Sequence, residues 1–326
     1  MDRKKQPAGG DGGGCVIDVR NLTKDYGFHR GVFDVSIGVR RGEVFGFLGP
    51  NGAGKTTTIR HIMGFSKPQE GTIRVEGRDA WTDAARIKRD LGYLPGEPEF
   101  PTGMTGTEFI DHMAGLRGVT DRTRTDWLLD YFDLDPSDEI KRMSLGQKRK
   151  LAVVTAFMHD PQVLVLDEPT SGLDLLMQDR FIEFIKQEKA RGKTVLLSSH
   201  IFSEVNATCD RIAIIKDGEI VSTVTTAEFK HADRKTYEIE FETAAERDDF
   251  VGRSKLATVY TASKPRQIRV SFDDTRTHRF LKEVGRYDPV FVSEEKFTLE
   301  DYFMGFYDRK KSVAEGKEVM VHGTVH

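Results

Sequence analysis

A glycine-rich turn near the start of the chain has the composition of a phosphate-binding loop. Residues 49–56 read Gly-Pro-Asn-Gly-Ala-Gly-Lys-Thr, which matches the pattern G-x-x-x-x-G-K-[ST]. Glycines let backbone N–H groups converge on phosphate oxygens without Cβ clashes, and a helix that begins there directs its positive end at the same anion. We expect Lys55 to neutralise the β- and γ-phosphates of a nucleotide and Thr56 to offer its hydroxyl to Mg²⁺. The predicted nucleotide-binding residues are Gly49, Pro50, Asn51, Gly52, Ala53, Gly54, Lys55, Thr56 and Thr57.

Two adjacent carboxylates follow a short apolar run. Residues 163–166 lead directly into Asp167 and Glu168, and carboxylates at the end of a buried strand are costly unless they have partners. A metal ion and a water molecule are natural partners. Asp167 would hold Mg²⁺, directly or through water, opposite Thr56, and Glu168 would act as general base on the attacking water. The alternative is an ordinary turn with solvated acids, which the phosphate-binding pattern disfavours.

The segments around these residues have the pattern of a parallel sheet wrapped by helices. Three apolar runs lack polar alternation, as strands covered on both faces do. They are residues 44–48, 163–166 and 195–197. Helical spacing of apolar residues follows the glycine-rich turn, with Gly64 as a predicted C-cap, and recurs between the two later strands. Strand, helix and buried strand in this order predict an α/β fold.

Pattern and composition divide the chain into three parts. Residues 1–14 are polar and rich in glycine, so we expect a disordered tail. Residues 15–225 carry the motifs above and include a predicted helical subdomain at about 97–160. Residues 226–326 follow the order strand, helix, strand, strand, helix, strand and a last helix capped by Thr298. This order predicts a small C-terminal α+β domain, for which a ferredoxin-like topology is our hypothesis.

Composition limits the classes of function. Lysine plus arginine is 49 and aspartate plus glutamate is 52, for a net charge of -3, whereas dedicated nucleic-acid binders carry a basic excess. We therefore expect no nucleic-acid partner. The unbroken apolar stretches are far shorter than the roughly 18 residues of a membrane-spanning helix, and no apolar run follows Arg3, so we expect neither a spanning segment nor a signal peptide. The two cysteines fit a reducing cytosol.

Further motifs resemble those of the ABC ATPases. Residues 143–148 read Met-Ser-Leu-Gly-Gln-Lys and resemble the L-S-G-G-Q signature, with Leu145 in place of the first glycine. Residues 171–174, Ser-Gly-Leu-Asp, resemble the D-loop. Tyr26 stands where the family keeps an adenine-stacking aromatic, and His200 resembles the switch histidine. The motifs occur in the family's order over about residues 16–222, so the resemblance implies a P-loop NTPase core that binds ATP and Mg²⁺.

The resemblance implies a site shared between two subunits. In this family two ATPase subunits close head to tail around two ATP molecules, and the signature of each faces the nucleotide of the other. Ser144, Gly146, Gln147 and Asp174 are therefore expected to act in trans, and His200 to contact the γ-phosphate or the attacking water. The region around the signature is basic, and we interpret its side chains as a solvated helix face. They are Lys141, Arg142, Lys148, Arg149 and Lys150.

Two segments resemble a subset of the family. Residues 91–97 and 297–303 look like motifs of the ATPase subunits of ABC-2-type exporters. That resemblance implies export of a drug, antibiotic, peptide or lipid-like cargo through a separate membrane permease. It also implies a second ATP-binding subunit, with a homodimer expected, and a place at the cytoplasmic face of the plasma membrane. A non-transport regulatory or ribosome-associated ATPase is the alternative.

One position departs from the family pattern. The family places a glutamine after Tyr-Leu-Pro, where it reaches Mg²⁺ and the attacking water, but here that position is Gly96, followed by Glu97. Three alternatives remain open: a water fills the gap, Glu97 reaches in, or contact with the membrane partner is transmitted through the backbone. Our hypothesis is that Gly96 and Glu97 begin the surface that docks the membrane subunit. The C-terminal domain has either a dimerisation or regulatory role or a role in packing alone.

Overall fold

The chain forms two compact units, Met1–Thr226 and Ala227–His326. The computed structural model describes residues 14–227, 234–254, 256, 258–261, 264–295 and 298–304. Apart from Gly14, the predicted disordered tail lies outside these residues. Each unit has its own apolar core and is taken separately below.

An antiparallel sheet of four strands opens the first unit. Numbered in chain order, its strands are β1 (Cys15–Asp25), β2 (Gly31–Arg40), β4 (Glu70–Val75) and β5 (Arg78–Asp79). They are arranged in the order β2-β1-β4-β5. In β2, alternate residues are buried, as the period-two pattern of residues 33–39 predicts, because one face of the strand packs on the core.

A six-stranded sheet forms the centre of the first unit. Its strands are β3 (Val44–Leu48), β6 (Leu91–Leu94), β7 (Val163–Asp167), β8 (Thr194–Ser199), β9 (Arg211–Lys216) and β10 (Glu219–Thr225). The order is β10-β9-β3-β8-β7-β6, and every pair is parallel except β9 with β10. β3, β7 and β8 are buried along their whole length, which confirms the strands predicted from the three apolar runs.

Helices surround this sheet. They are α1 (Lys55–Ile62), α2 (Ala84–Asp90), α6 (Leu175–Ala190) and α7 (Phe202–Thr208). α1 ends where predicted, since Gly64 adopts a left-handed conformation with φ of 63° just beyond the last helical turn. A hairpin turn at Asp217 and Gly218 joins β9 to β10, and both residues have positive φ angles.

The segment between β6 and β7 is helical, as predicted. It contains α3 (Gly106–Arg117), α4 (Thr123–Tyr131) and α5 (Leu145–Phe157). α3 and α5 both begin with a reciprocal capping box, in which Thr105 pairs with Glu108 and Ser144 with Gln147. α5 is buried on almost every face, because helix α4 and strand β6 both pack against it.

The second unit has the predicted ferredoxin-like topology. Its elements are β11 (Arg234–Glu240), α8 (Ala244–Arg253), β12 (Thr258–Thr261), β13 (Gln267–Asp273), α9 (Thr277–Val284) and β14 (Phe291–Glu295). The four strands are antiparallel in the order β12-β13-β11-β14. The core includes Ile239, Ile268 and Phe280. Thr298 caps the helical residues 299–304 by accepting a hydrogen bond from the amide of Asp301, at 3.1 Å.

Parallel pairing in the central sheet places the predicted site residues at one edge. β3, β8 and β7 are neighbours that run in the same direction, so their carboxyl ends lie side by side. The phosphate-binding loop follows β3, the acidic pair ends β7, and His200 follows β8. This edge is where ligands bind in open α/β sheets.

Candidate functional site

The phosphate-binding loop connects β3 to α1 through tightly packed backbone. A Cβ on Gly49 would lie 2.5 Å from the carbonyl oxygen of Ile215, so only glycine fits there. Lys55, 5% exposed, folds its side chain back over the loop and donates to the carbonyls of Gly49 at 2.6 Å and Pro50 at 3.2 Å. The ammonium group is thereby held over the glycine-rich turn, where the loop amides favour an anion.

Thr56 and Asp167 meet at the mouth of this loop. The Thr56 hydroxyl donates to Oδ2 of Asp167 at 2.8 Å, and the Ser198 hydroxyl donates to Oδ1. Asp167 is fully buried, so these hydroxyls compensate a carboxylate that has no contact with bulk water. A hydroxyl and a carboxylate beside a phosphate-binding loop are oxygen ligands of the kind that Mg²⁺ prefers. The pair therefore fits the metal role predicted for it.

Glu168 lies between two basic side chains. Its Oε1 is 3.0 Å from Nζ of Lys55, and its Oε2 is 2.6 Å from Nδ1 of His200. The backbone of Glu168 has a φ of 48°, and its amide donates to the carbonyl of Ser198 at 3.1 Å. The left-handed turn directs the chain away from β7 immediately after Asp167, so consecutive residues reach different parts of the site.

Tyr26 lies on the loop that joins β1 to β2. The loop is closed by a hydrogen bond of 2.8 Å from the Tyr26 amide to the Arg30 carbonyl. The loop leads into Gly31, whose carbonyl oxygen would lie 3.5 Å from a Cβ on Gly54 of the phosphate-binding loop. The phenol ring is 56% exposed, so one face is available for stacking next to the phosphate site.

The signature segment, residues 144–147, forms a second cluster with the D-loop turn. Ser144 caps α5 and accepts a hydrogen bond of 3.2 Å from the amide of Gln147. A Cβ on Gly146 would lie 3.6 Å from the carbonyl oxygen of Gly172, and the Leu145 side chain rests against Gly172. Asp174 caps α6 by accepting from the amide of Met177 at 2.9 Å. The structure thus brings the signature and D-loop together within one chain.

The interpretation of the basic side chains around the signature as a solvated helix face is wrong for Arg149. It is 2% exposed, because its position on α5 faces β6 and the end of β7 rather than solvent. Lys141 and Arg142, in contrast, are exposed as expected. Arg149 stands between Lys148 and Lys150, two positions before the apolar stretch that begins at Leu151, so no local sequence signal marked its burial.

Gly96 lies against the Asp167 carboxylate. A Cβ at this position would be 3.4 Å from Oδ2 of Asp167, which is ordinary van der Waals contact. The carbonyl of Gly96 accepts a hydrogen bond of 3.1 Å from Arg149, whereas the Glu97 side chain is exposed. Of the three alternatives for the glutamine that is missing at position 96, these contacts favour the one in which contact with the membrane partner is transmitted through the backbone.

Glu204 is a buried carboxyl behind the site that the sequence did not reveal. It is 2% exposed on α7 and accepts a hydrogen bond of 2.5 Å from the Ser199 hydroxyl. Its pKa is raised to about 7, chiefly by burial and also by the Glu168 carboxylate, whereas hydrogen bonds with Ser199 and Thr170 and the charge of Arg149 oppose the shift. In sequence it looks like any acidic residue in the first turn of a helix, so no local pattern marked it.

Comparison with known proteins agrees with this geometry. A family model described as ABC transporter matches residues 32–171. The uncharacterized ABC transporter ATP-binding protein YhcH of Bacillus subtilis (strain 168) is 34% identical over 235 residues, which are 71% of this chain and 77% of that protein. The chain belongs to the ATP-binding proteins of ABC transporters. It is an ATPase whose hydrolysis of ATP is coupled to transport through a separate permease.

Two further relatives support the assignment of this ABC ATPase. The bacitracin transport ATP-binding protein BcrA of Bacillus licheniformis is 34% identical over 230 residues, or 69% of this chain and 74% of that protein. A solved structure of an ATP-binding subunit of an ABC transporter has a TM-score of 0.62 and 31% identity, over 67% of this chain and 92% of its own. Within the described part of the chain, each helix is too short or too polar to cross a membrane.

Proposed function

We propose that the cluster at the edge of the central sheet is the hydrolytic half of a composite ATP site. The observation that carries the proposal is the position of Glu168, held at 3.0 Å by Lys55 and at 2.6 Å by His200 beside the Thr56–Asp167 pair. Lys55 neutralises the β- and γ-phosphates, and residues 49–57 hold the phosphate chain with backbone amides. Tyr26 stacks on the adenine.

Glu168 is the proposed general base. Its carboxylate accepts a proton from the water that attacks the γ-phosphate, and the His200 imidazole orients the carboxylate and contacts the γ-phosphate or that water. Thr56 and Asp167 hold Mg²⁺. The ion, when bound, neutralises charge on the β- and γ-phosphate oxygens.

We propose that Ser144, Gly146, Gln147 and Asp174 complete the site of a second subunit. The N-terminus of α5 presents backbone amides of the signature segment, and such helix ends favour phosphate. Contact of the signature segment with the D-loop turn at Gly172 supports a shared closing surface. The partner is a second copy of this chain, and nucleic acid is not a partner.

We propose that this ATPase drives an ABC-2-type exporter at the cytoplasmic face of the plasma membrane. The Nod factor export ATP-binding protein I of Ralstonia nicotianae, 36% identical over 68% of this chain, supports export. The drug, antibiotic, peptide or lipid-like nature of the cargo follows from the relatives alone, and Gly96 and Glu97 begin the proposed permease-docking surface. Residues 15–225 form the proposed ATPase domain, with its helical subdomain at 97–160, and residues 226–326 an accessory domain for dimerisation or regulation.

Substitution of Glu168 by glutamine tests the assignment. Glu168→Gln keeps the shape of the side chain and removes its basicity, so the full-length protein should bind ATP normally while turnover falls about 100- to 10,000-fold. Steady-state phosphate release and equilibrium binding of a fluorescent ATP analogue measure the two effects. Glu183→Gln, on the outer face of α6 with only a 3.6 Å ion pair to Lys186, is the matched control. Near-normal turnover in Glu168→Gln would reject the proposed base.

A further inference from the structure

Arg149 is a buried cation beside the end of β7. Its guanidinium lies between the end of β7 and the loop that follows β6, and is 2% exposed. Nε donates to the carbonyl of Pro169 at 3.0 Å, and Nη2 donates to the carbonyls of Asp167, at 3.5 Å, and Glu168. All these acceptors belong to the segment that carries the metal-binding residue and the base.

The other guanidinium nitrogen reaches a different loop. Nη1 donates to the carbonyl of Pro95 at 2.6 Å and to that of Gly96 at 3.1 Å. A guanidinium has five N–H donors in one plane, and here five carbonyls from two segments accept from it. One rigid group therefore holds both segments at a set separation.

We propose that Arg149 is a positioning residue that couples the Gly96 loop to Glu168, taking over the mechanical link that a side chain at position 96 would otherwise supply. Gly96 has no side chain to reach the catalytic carboxylates, so its loop contacts them through its carbonyl and Arg149. A displacement of residues 95–96 then moves the carbonyls on either side of Glu168, and with them its carboxylate. The inference rests on the proposed role of Glu168 as base.

The charge of the surroundings suits this role. Burial lowers the pKa of Arg149, but the carboxylates of Asp167, Glu168 and Glu204 counteract the shift, so the guanidinium stays charged with all donors available. Neither lysine nor glutamine reproduces the arrangement. A lysine ammonium is a point with three donors, and a glutamine amide has two, so neither spans both loops.

Arg117 provides a matched control within the same chain. Its half-buried guanidinium also donates to backbone carbonyls, those of Arg89 and Leu91 at 3.3 Å each, and it contacts His159 at 2.7 Å. It joins α3 to the β6 region without touching β7 or the loop at 95–96. Arg117→Lys therefore reproduces the loss of a buried backbone-binding guanidinium but leaves the proposed link intact.

The experiment compares Arg149→Lys, Arg149→Gln, Arg117→Lys and Glu168→Gln in the full-length protein. We expect both Arg149 variants to lower kcat about 10- to 100-fold, the range for a misplaced catalytic group, with KM for ATP changed less than about threefold. Arg117→Lys should leave kcat within about threefold of the wild-type value, even if its melting temperature falls as far as those of the Arg149 variants. The inference would be overturned if kcat fell no further in the Arg149 variants than in Arg117→Lys.

Amide hydrogen exchange tests the link without relying on turnover. Addition of Mg-ATP should change exchange at Gly96 and Glu97 together with that at Glu168, and the Arg149 variants should lose the change at residues 96–97 alone. The inference is also overturned if amide exchange at residues 96–97 of the wild-type protein does not change when Mg-ATP is added. Retained turnover in Glu168→Gln would reject the proposed base and with it the route through Arg149. Loss of turnover in Glu168→Gln together with normal turnover in the Arg149 variants rejects only the role inferred for Arg149.

Discussion

The Thr56 hydroxyl donates a hydrogen bond of 2.8 Å to Oδ2 of Asp167, joining the first turn of α1 to the last residue of β7. The two residues are far apart in the chain, and the parallel sheet brings them together. Their oxygens form the protein part of the proposed Mg²⁺ site, and phosphate oxygens and water supply the remaining ligands in sites of this kind.

Asp167→Asn should weaken the response to Mg²⁺. The amide keeps the size of the carboxylate but removes its charge, so the Mg²⁺ concentration for half-maximal turnover should rise about tenfold or more, the scale seen when a metal-site residue is altered. Titration of Mg²⁺ at saturating ATP measures the effect. Asp160→Asn is the control, because Asp160 forms ion pairs with Arg191 and Lys193 before the amino end of β7, whereas Asp167 lies at its carboxyl end. An unchanged Mg²⁺ midpoint in Asp167→Asn would contradict the assignment.

Ser144→Ala and Thr105→Ala separate helix capping from catalysis. Each removes the hydroxyl of one capping box, on α5 and α3 respectively, and should lower the free energy of unfolding by about 1 kcal/mol. Only Ser144→Ala should also lower ATP turnover, because α5, and not α3, is proposed to present its N-terminus to the partner's nucleotide. Both tryptophans, Trp81 and Trp127, lie in the first unit, so their fluorescence follows its unfolding. Equal turnover in the two variants would argue against the trans role.

Glu204 should make stability depend on pH. Its pKa is about 7 in the folded protein and 4.5 for a free glutamate side chain, so the folded state binds its proton more tightly. The resulting stabilisation is complete below pH 4.5 and is lost as the pH rises to 7. Glu204→Gln has no such ionisation, so its stability relative to wild type should improve by about 2–3 kcal/mol between pH 5 and pH 8.

Urea unfolding followed by tryptophan fluorescence at both pH values measures this difference. Glu188→Gln is the control, since Glu188 is equally buried but paired with Arg124 at 2.6 Å and Arg191 at 2.9 Å. Breaking those ion pairs should destabilise the protein at both pH values. A Glu204→Gln difference that stays constant with pH would show that the carboxyl does not ionise in this range.

Local patterns in the sequence predicted most elements of the fold and the residues that the structure brings together at the edge of the central sheet. Apolar runs such as residues 44–48 predict buried strands because a strand covered on both faces tolerates no polar alternation. The glycine-rich loop at 49–56 predicts a phosphate site because its function depends on backbone shape within one short segment. The alternation of strands and helices in the second unit likewise predicted its ferredoxin-like order.

Contacts between distant segments could not be read in this way. Arg149 stands in a run of basic residues and Glu204 in a short polar helix, and each is buried because α5 or α7 packs against the ends of β7 and β8. Whether a charged side chain meets water or five backbone carbonyls depends on what the fold places opposite it. Residue type and spacing decide which chemistry is available, whereas long-range packing decides which of those side chains touch.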